Sequence, residues 1–133
     1  MRPTSMTRFY LLFSAAGLFV IALGYGVDPA AMLPRVLDLT VEGTDLTHIF
    51  RAIMGLYLGM IVLWVLGAVR SDFTRAAVIA EVVFMFGLAL GRVVSIVVDG
   101  VPSTLLMGYT VLEIAMGSWG ILILKKPSNA IGP

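Results

Sequence analysis

Four apolar stretches dominate this chain: Phe9–Val27, His48–Val69, Ala76–Val98 and Thr104–Leu124. Each is about 20 residues long, the length an α-helix needs to cross the hydrocarbon core of a bilayer. Inside hydrocarbon, every backbone N–H and C=O must be satisfied within its own segment, so runs this long are helices. Barrel strands would be shorter and would alternate. The expected fold is therefore all-α: one integral membrane domain over residues 1–133, a four-transmembrane-helix bundle with up-down antiparallel topology. Composition agrees. The chain is 59% apolar and 13% charged, with a mean hydropathy of +1.02, whereas soluble domains run about 45–50% apolar and about 25% charged. An ordinary soluble domain and a disordered chain are both excluded.

The connections fit this count. Residues 70–75 (RSDFTR) and 99–103 (DGVPS) are short, which makes the second, third and fourth spans antiparallel neighbours. Ser71 or Asp72 is expected to cap the third span and Ser103 the fourth. The 28–47 connection is longer. It starts with Asp28-Pro29, an N-cap followed by proline at the first helical position, and suggests a short interfacial helix broken near Pro34. Basic residues gather on one side: Arg2, Arg8, Arg70, Arg75, Lys125 and Lys126. Only Arg35 lies opposite, among Asp28, Asp38, Glu42, Asp45 and Asp99. The positive-inside rule then puts both termini in the cytoplasm. Trp64 and Trp119, each six residues before a basic residue of that side, are expected at matching depths near the interface. A rival reading takes Arg2, Arg8 and the first apolar run as a signal peptide with a small-x-small site at Ala22-Leu23-Gly24. That run is longer than most signal cores.

Net charge is +1 and there are no cysteines. Nothing here offers a nucleic-acid footprint. Disulfides, iron–sulfur clusters and thiolate metal sites are absent. The lone His48 cannot supply a haem's paired axial ligands or three ligands to zinc, so neither metal nor cofactor is expected. His48 reads as a hydrogen-bonding residue at the rim rather than a catalytic base, and no hydrolase elbow is present. The eight methionines are scattered and read as core filler.

The informative residues are the charges inside the spans. Arg51, Glu81, Arg92 and Glu113 each cost about 2.5–3.5 kcal/mol on insertion scales, so they should face the bundle interior and pair. On the third span Glu81, Leu88, Arg92 and Asp99 fall within about 20° of one direction, with Ser95 about 40° away. On the fourth, Tyr109, Glu113, Gly117 and Gly120 share a face within roughly 40°. Arg92 and Glu113 differ in depth by about 5 Å, which makes them the leading pair. Arg51 is expected to reach Asp99 or Glu113. Three roles are open for these charges: fixing helix register, anchoring a ligand in a polar pocket at Arg92 and Arg51, or moving protons through Glu113 and Glu81. Gly55 and Gly59 form a small-xxx-small pattern, read first as packing within the bundle and second as a dimer interface.

The run His48-Ile-Phe-Arg51-Ala-Ile-Met-Gly55-Leu-Tyr57-Leu-Gly59, then Gly91-Arg92-Val-Val-Ser95, the turn Asp99-Gly100-Val-Pro102-Ser103, and Glu113 together resemble one bacterial family of small membrane proteins. That family is domain of unknown function 4345, which in turn resembles the broader DoxX-like four-helix group. The resemblance spans roughly Gly24 to Leu124. It implies a four-helix inner-membrane fold and no established activity. DoxX-like relatives include proteins linked to quinone-associated or thiol-stress systems, a link that does not carry over to a chain without cysteine.

The first reading of function is a non-enzymatic accessory or scaffold component of a membrane assembly, partnered by lipid and by another membrane protein or a second copy. The second is a binding protein or small transporter for an amphipathic ligand (lipid, isoprenoid or quinone), its head at Arg51, Arg92 and Tyr109. The third is a membrane enzyme with Glu113 as acid or base.

Overall fold

The structure, a computed structural model, describes residues 1–126. It holds five helices and, among the described residues, no strand: α1 (Ser5–Gly26), α2 (Pro29–Leu37), α3 (Gly43–Val69), α4 (Ser71–Asp99) and α5 (Thr104–Lys125). α1, α3, α4 and α5 are long and apolar enough to cross a membrane. At 1.5 Å per residue, even the 22-residue helices α1 and α5 run about 33 Å. Phe9, Val20, Leu56, Val83 and Leu122 are each more than half exposed on the outside of the bundle. Lipid tails would cover such residues at no hydrophobic cost.

Helices pack in the order α1 on α3, α3 on α4, α4 on α5. The terminal end of the bundle carries the start of α1, the α3–α4 turn and the end of α5. The distal end carries α2 and the α4–α5 turn. At the terminal end, α3 and α4 are joined through Arg70 alone, where six loop residues were expected. Thr74 makes this possible, its Oγ1 donating to the carbonyls of Gly67 (2.8 Å) and Arg70 (3.1 Å). These are carbonyls that a helix end leaves unsatisfied. Gly67 lies directly against Ala77, with no room for a Cβ. Neither Ser71 nor Asp72 caps α4, because the helix starts at Ser71 with Arg70 in the cap position. Ser103 does occupy the cap position of α5, but without a side-chain cap bond.

At the distal end, Asp28 caps α2 by accepting from Ala31 N at 3.2 Å, with Pro29 at the first position. The expected break near Pro34 is absent. In a nine-residue helix Pro34 removes only one internal bond, and α2 continues to Leu37 before Asp38 closes it in the left-handed region at φ 56°. Leu33 is buried against α1 and α3.

The closely packed core lies toward the terminal end: Tyr10, Leu11, Ala15, Trp64, Ala77, Val78 and Ile123. Trp64 is fully buried, edge-on to Phe84, so its ring faces the core and not the bundle surface. α3 runs on to Val69 below it, so the indole sits inside the bundle. Trp119 is half-buried, against Phe9 and Tyr10.

Candidate functional site

The order α1–α3–α4–α5 leaves α1 and α5 to close the bundle, and they do so at one end only. Tyr10 Oη donates to the Met116 carbonyl at 3.0 Å, and the Tyr10 and Trp119 rings meet edge to face at 5.3 Å. Gly120 makes room for the Tyr10 hydroxyl. The two helices share no extended backbone contact. A cavity of about 130 Å³ fills the space, lined by all four long helices. α1 contributes Phe13, Ser14, Gly17, Leu18, Ile21 and Tyr25, and α3 contributes Tyr57. α4 contributes Phe84, Met85, Leu88 and Arg92, and α5 contributes Tyr109, Leu112, Glu113 and Met116. Phe13 (51% exposed) and Leu112 (48%) mark its mouth, on the bundle surface between α1 and α5.

Arg92 and Glu113 meet in this cavity. Arg92 Nε donates to both carboxylate oxygens of Glu113, each at 2.9 Å. Glu113 is buried, its residue 6% exposed, which gives the pair a low-dielectric setting. The guanidinium carbon stands 5.7 Å from the Tyr109 ring centroid, within cation–π range. Only one of the three guanidinium nitrogens is used. Arginine has five N–H donors, and the four on the two Nη atoms have no acceptor among the described residues. Tyr25, Tyr57 and Phe84 continue the wall as an aromatic row. Tyr25 and Tyr57 have ring centroids 6.0 Å apart, Tyr57 and Phe84 5.6 Å.

The rest of the expected cluster lies elsewhere. Arg51 reaches neither Asp99 nor Glu113. Its Nε donates to the Gly26 carbonyl at 3.4 Å, one of the carbonyls left free at the end of α1, and it does not line the cavity. Ser95 Oγ donates to Asp99 Oδ2 at 2.9 Å on the exposed end of α4. His48 is exposed on the first turns of α3. The packing within the bundle expected at Gly55 and Gly59 is not found, because a Cβ at either position would meet nothing within 4 Å. Gly117 does pack inside, against the Phe86 ring. Glu81 lies on the same stripe of α4 as Met85, Leu88 and Arg92, on the terminal side of the cavity. It is fully buried, and neither of its oxygens has a hydrogen-bond partner. The hydroxyls of Ser14 and Tyr10 are bonded instead to main-chain carbonyls, of Tyr10 and Met116.

Tyr25 and Tyr57 were not picked out as site residues from the sequence. The available signal was chemical: a tyrosine inside a spanning helix carries a hydroxyl that hydrocarbon cannot satisfy.

Four apolar helices around a half-used ion pair define the class: a small multi-pass helical membrane protein. The chain belongs to the family described as Domain of unknown function (DUF4345), whose model matches residues 6–124. No curated protein and no solved structure matches it significantly.

Proposed function

We propose that this protein binds an amphipathic small molecule inside the membrane, with the molecule's polar head at Arg92 and its apolar part against the cavity wall. One observation carries this reading. A cavity of about 130 Å³, otherwise apolar and aromatic, is lined by an arginine whose Nη groups have no acceptor. Engineered apolar cavities of about 150 Å³ take up benzene, so the volume suits a ring-sized head. We rank this reading ahead of an accessory or scaffold subunit because it uses a feature that packing alone does not need. With both oxygens held by Arg92 Nε, Glu113 is an ion-pair partner in this reading and not an acid or base.

Native mass spectrometry of protein extracted with its own lipids tests it. A reproducible small adduct on the 14.3 kDa chain is expected, lost in Arg92→Gln and in Gly17→Leu. The second substitution fills the cavity from open space and leaves the ion pair untouched. An adduct that survives Gly17→Leu, or a stoichiometric protein partner with no adduct, overturns the proposal.

We further propose that the protein lies in a bacterial cytoplasmic membrane with both termini inside, a placement supported by the resemblance and by the one-sided arginines and lysines. The chain has no cysteine, so single cysteines at Ser71 and Val101 report on opposite sides. An impermeant maleimide added to intact cells should label the second and spare the first.

A further inference from the structure

Granting the ligand reading above, we infer that the head group is neutral and accepts hydrogen bonds, a carbonyl-type oxygen on a flat ring, and that the tail leaves between α1 and α5. Charge is the first argument. Arg92 and Glu113 are the only charged residues lining the cavity, and they neutralise each other. An anionic head would leave a net negative charge beside the Glu113 carboxylate, away from water, and a cationic head would compete with Arg92 for it. Buried uncompensated charge is costly either way. A neutral head leaves the balance intact.

Donor count is the second argument. Both Glu113 oxygens already accept from Arg92. Of the four tyrosine hydroxyls, only Tyr10 donates to a partner among the described residues, the Met116 carbonyl. Tyr25, Tyr57 and Tyr109 line the cavity without one. Together with the four Nη hydrogens of Arg92, the few polar groups of this mostly apolar lining carry donors in excess, and their complement is an acceptor. The tyrosine row supplies flat faces against which a ring stacks.

Shape is the third argument. About 130 Å³ admits a head and excludes a full lipid chain. At its mouth Phe13 and Leu112 are half exposed, whereas the terminal side is shut by Tyr10, Trp119 and Met116. A tail has one way out, toward the bilayer.

Three probes of matched size separate these ideas: 4′-dodecylacetophenone (neutral acceptor), 4-dodecylbenzoate (anion) and 1-dodecyl-4-isopropylbenzene (no acceptor). Each is titrated into the full chain in nanodiscs and followed by native mass spectrometry. The ketone should bind about tenfold more tightly than either of the others, as expected for one or two satisfied buried donors. The Arg92→Gln/Glu113→Gln double variant, which keeps the site neutral and strands no charge, should lower the ketone-to-hydrocarbon ratio, and adding Tyr25→Phe, Tyr57→Phe and Tyr109→Phe should lower it further. Tightest binding of the benzoate, or equal binding of all three that Gly17→Leu abolishes, overturns the neutral-acceptor head and leaves the cavity reading standing. Binding of none of them, or binding indifferent to Gly17→Leu, overturns the cavity reading and this inference with it.

Discussion

The two halves of this bundle bury a glutamate each, on facing helices, and treat it in opposite ways. In the distal half Glu113 is matched by a guanidinium at 2.9 Å and stands beside a cavity. In the terminal half Glu81 is sealed among close-packed side chains, with neither oxygen hydrogen-bonded and no cation paired with it among the described residues. The halves also close differently. Tyr10 and Trp119 lock α1 to α5 at one end, and the same two helices stand apart at the other. Tight packing and open space are thus divided along the bundle axis. The tightly packed half holds the helices in register, and the open half is free to carry polar chemistry that packing does not require.

The sharpest way to break this contrast is to split the ion pair. Arg92→Leu or Glu113→Leu strands a buried charge and should cost about 3–5 kcal/mol. The double substitution should cost clearly less than either single one. Thermal unfolding in detergent reads all three, and additive losses would mean that the two residues do not act as a pair. Next in size is overpacking of the terminal half. Gly67→Ala pushes a methyl into Ala77 and should cost about 1–3 kcal/mol. Gly55→Ala and Gly59→Ala meet open space and should leave the same midpoint unchanged or slightly higher. If all three behave alike, the terminal half is not the tighter one.

Smaller still is Tyr10→Phe, which removes the bond to the Met116 carbonyl at a cost of about 1 kcal/mol. It should also loosen the only side-chain bond between α1 and α5 that lies within the core, seen as faster amide hydrogen exchange in α5 beyond Met116. The smallest effect, and the one of opposite sign, belongs to Glu81. Glu81→Met removes a buried polar group that makes no hydrogen bond, so stability should rise by about 1 kcal/mol or less. A fall as large as that of Glu113→Leu would mean that Glu81 has a partner after all, and the contrast would end.

The sequence was most legible where one physical rule dominated. Hydrocarbon thickness located the four spans, and the structure moves their ends mainly outward, as at Gly43 in place of His48. The rule that buried charge seeks opposite charge brought Arg92 to Glu113, since their depths follow from residue rise alone. The same rule failed for Arg51 because it ignores the backbone as an acceptor. The Gly26 carbonyl at the end of α1 was nearer than any carboxylate. For Trp64, spacing to a basic residue spoke to depth alone and said nothing of which side of the helix faces the core, where its ring is buried. The cavity was invisible for a related reason. It depends on the space left between α1 and α5 beyond Tyr10, to which no single residue points. Gly55 and Gly59 show the converse, a pattern that permits close approach without a neighbour in the chain to use it.

The parting of α1 and α5 has a thermodynamic consequence for whatever enters there. A molecule that arrives through this seam comes from the bilayer and never equilibrates with the site through water. Its occupancy follows its mole fraction in the lipid, so partitioning, which for a long-chain amphiphile is strongly favourable, does most of the concentrating before the protein is met. Modest intrinsic binding then suffices for saturation, and an affinity quoted per volume of water would shift with the amount of membrane in the tube. Titrations at two lipid-to-protein ratios should superimpose only when plotted against mole fraction.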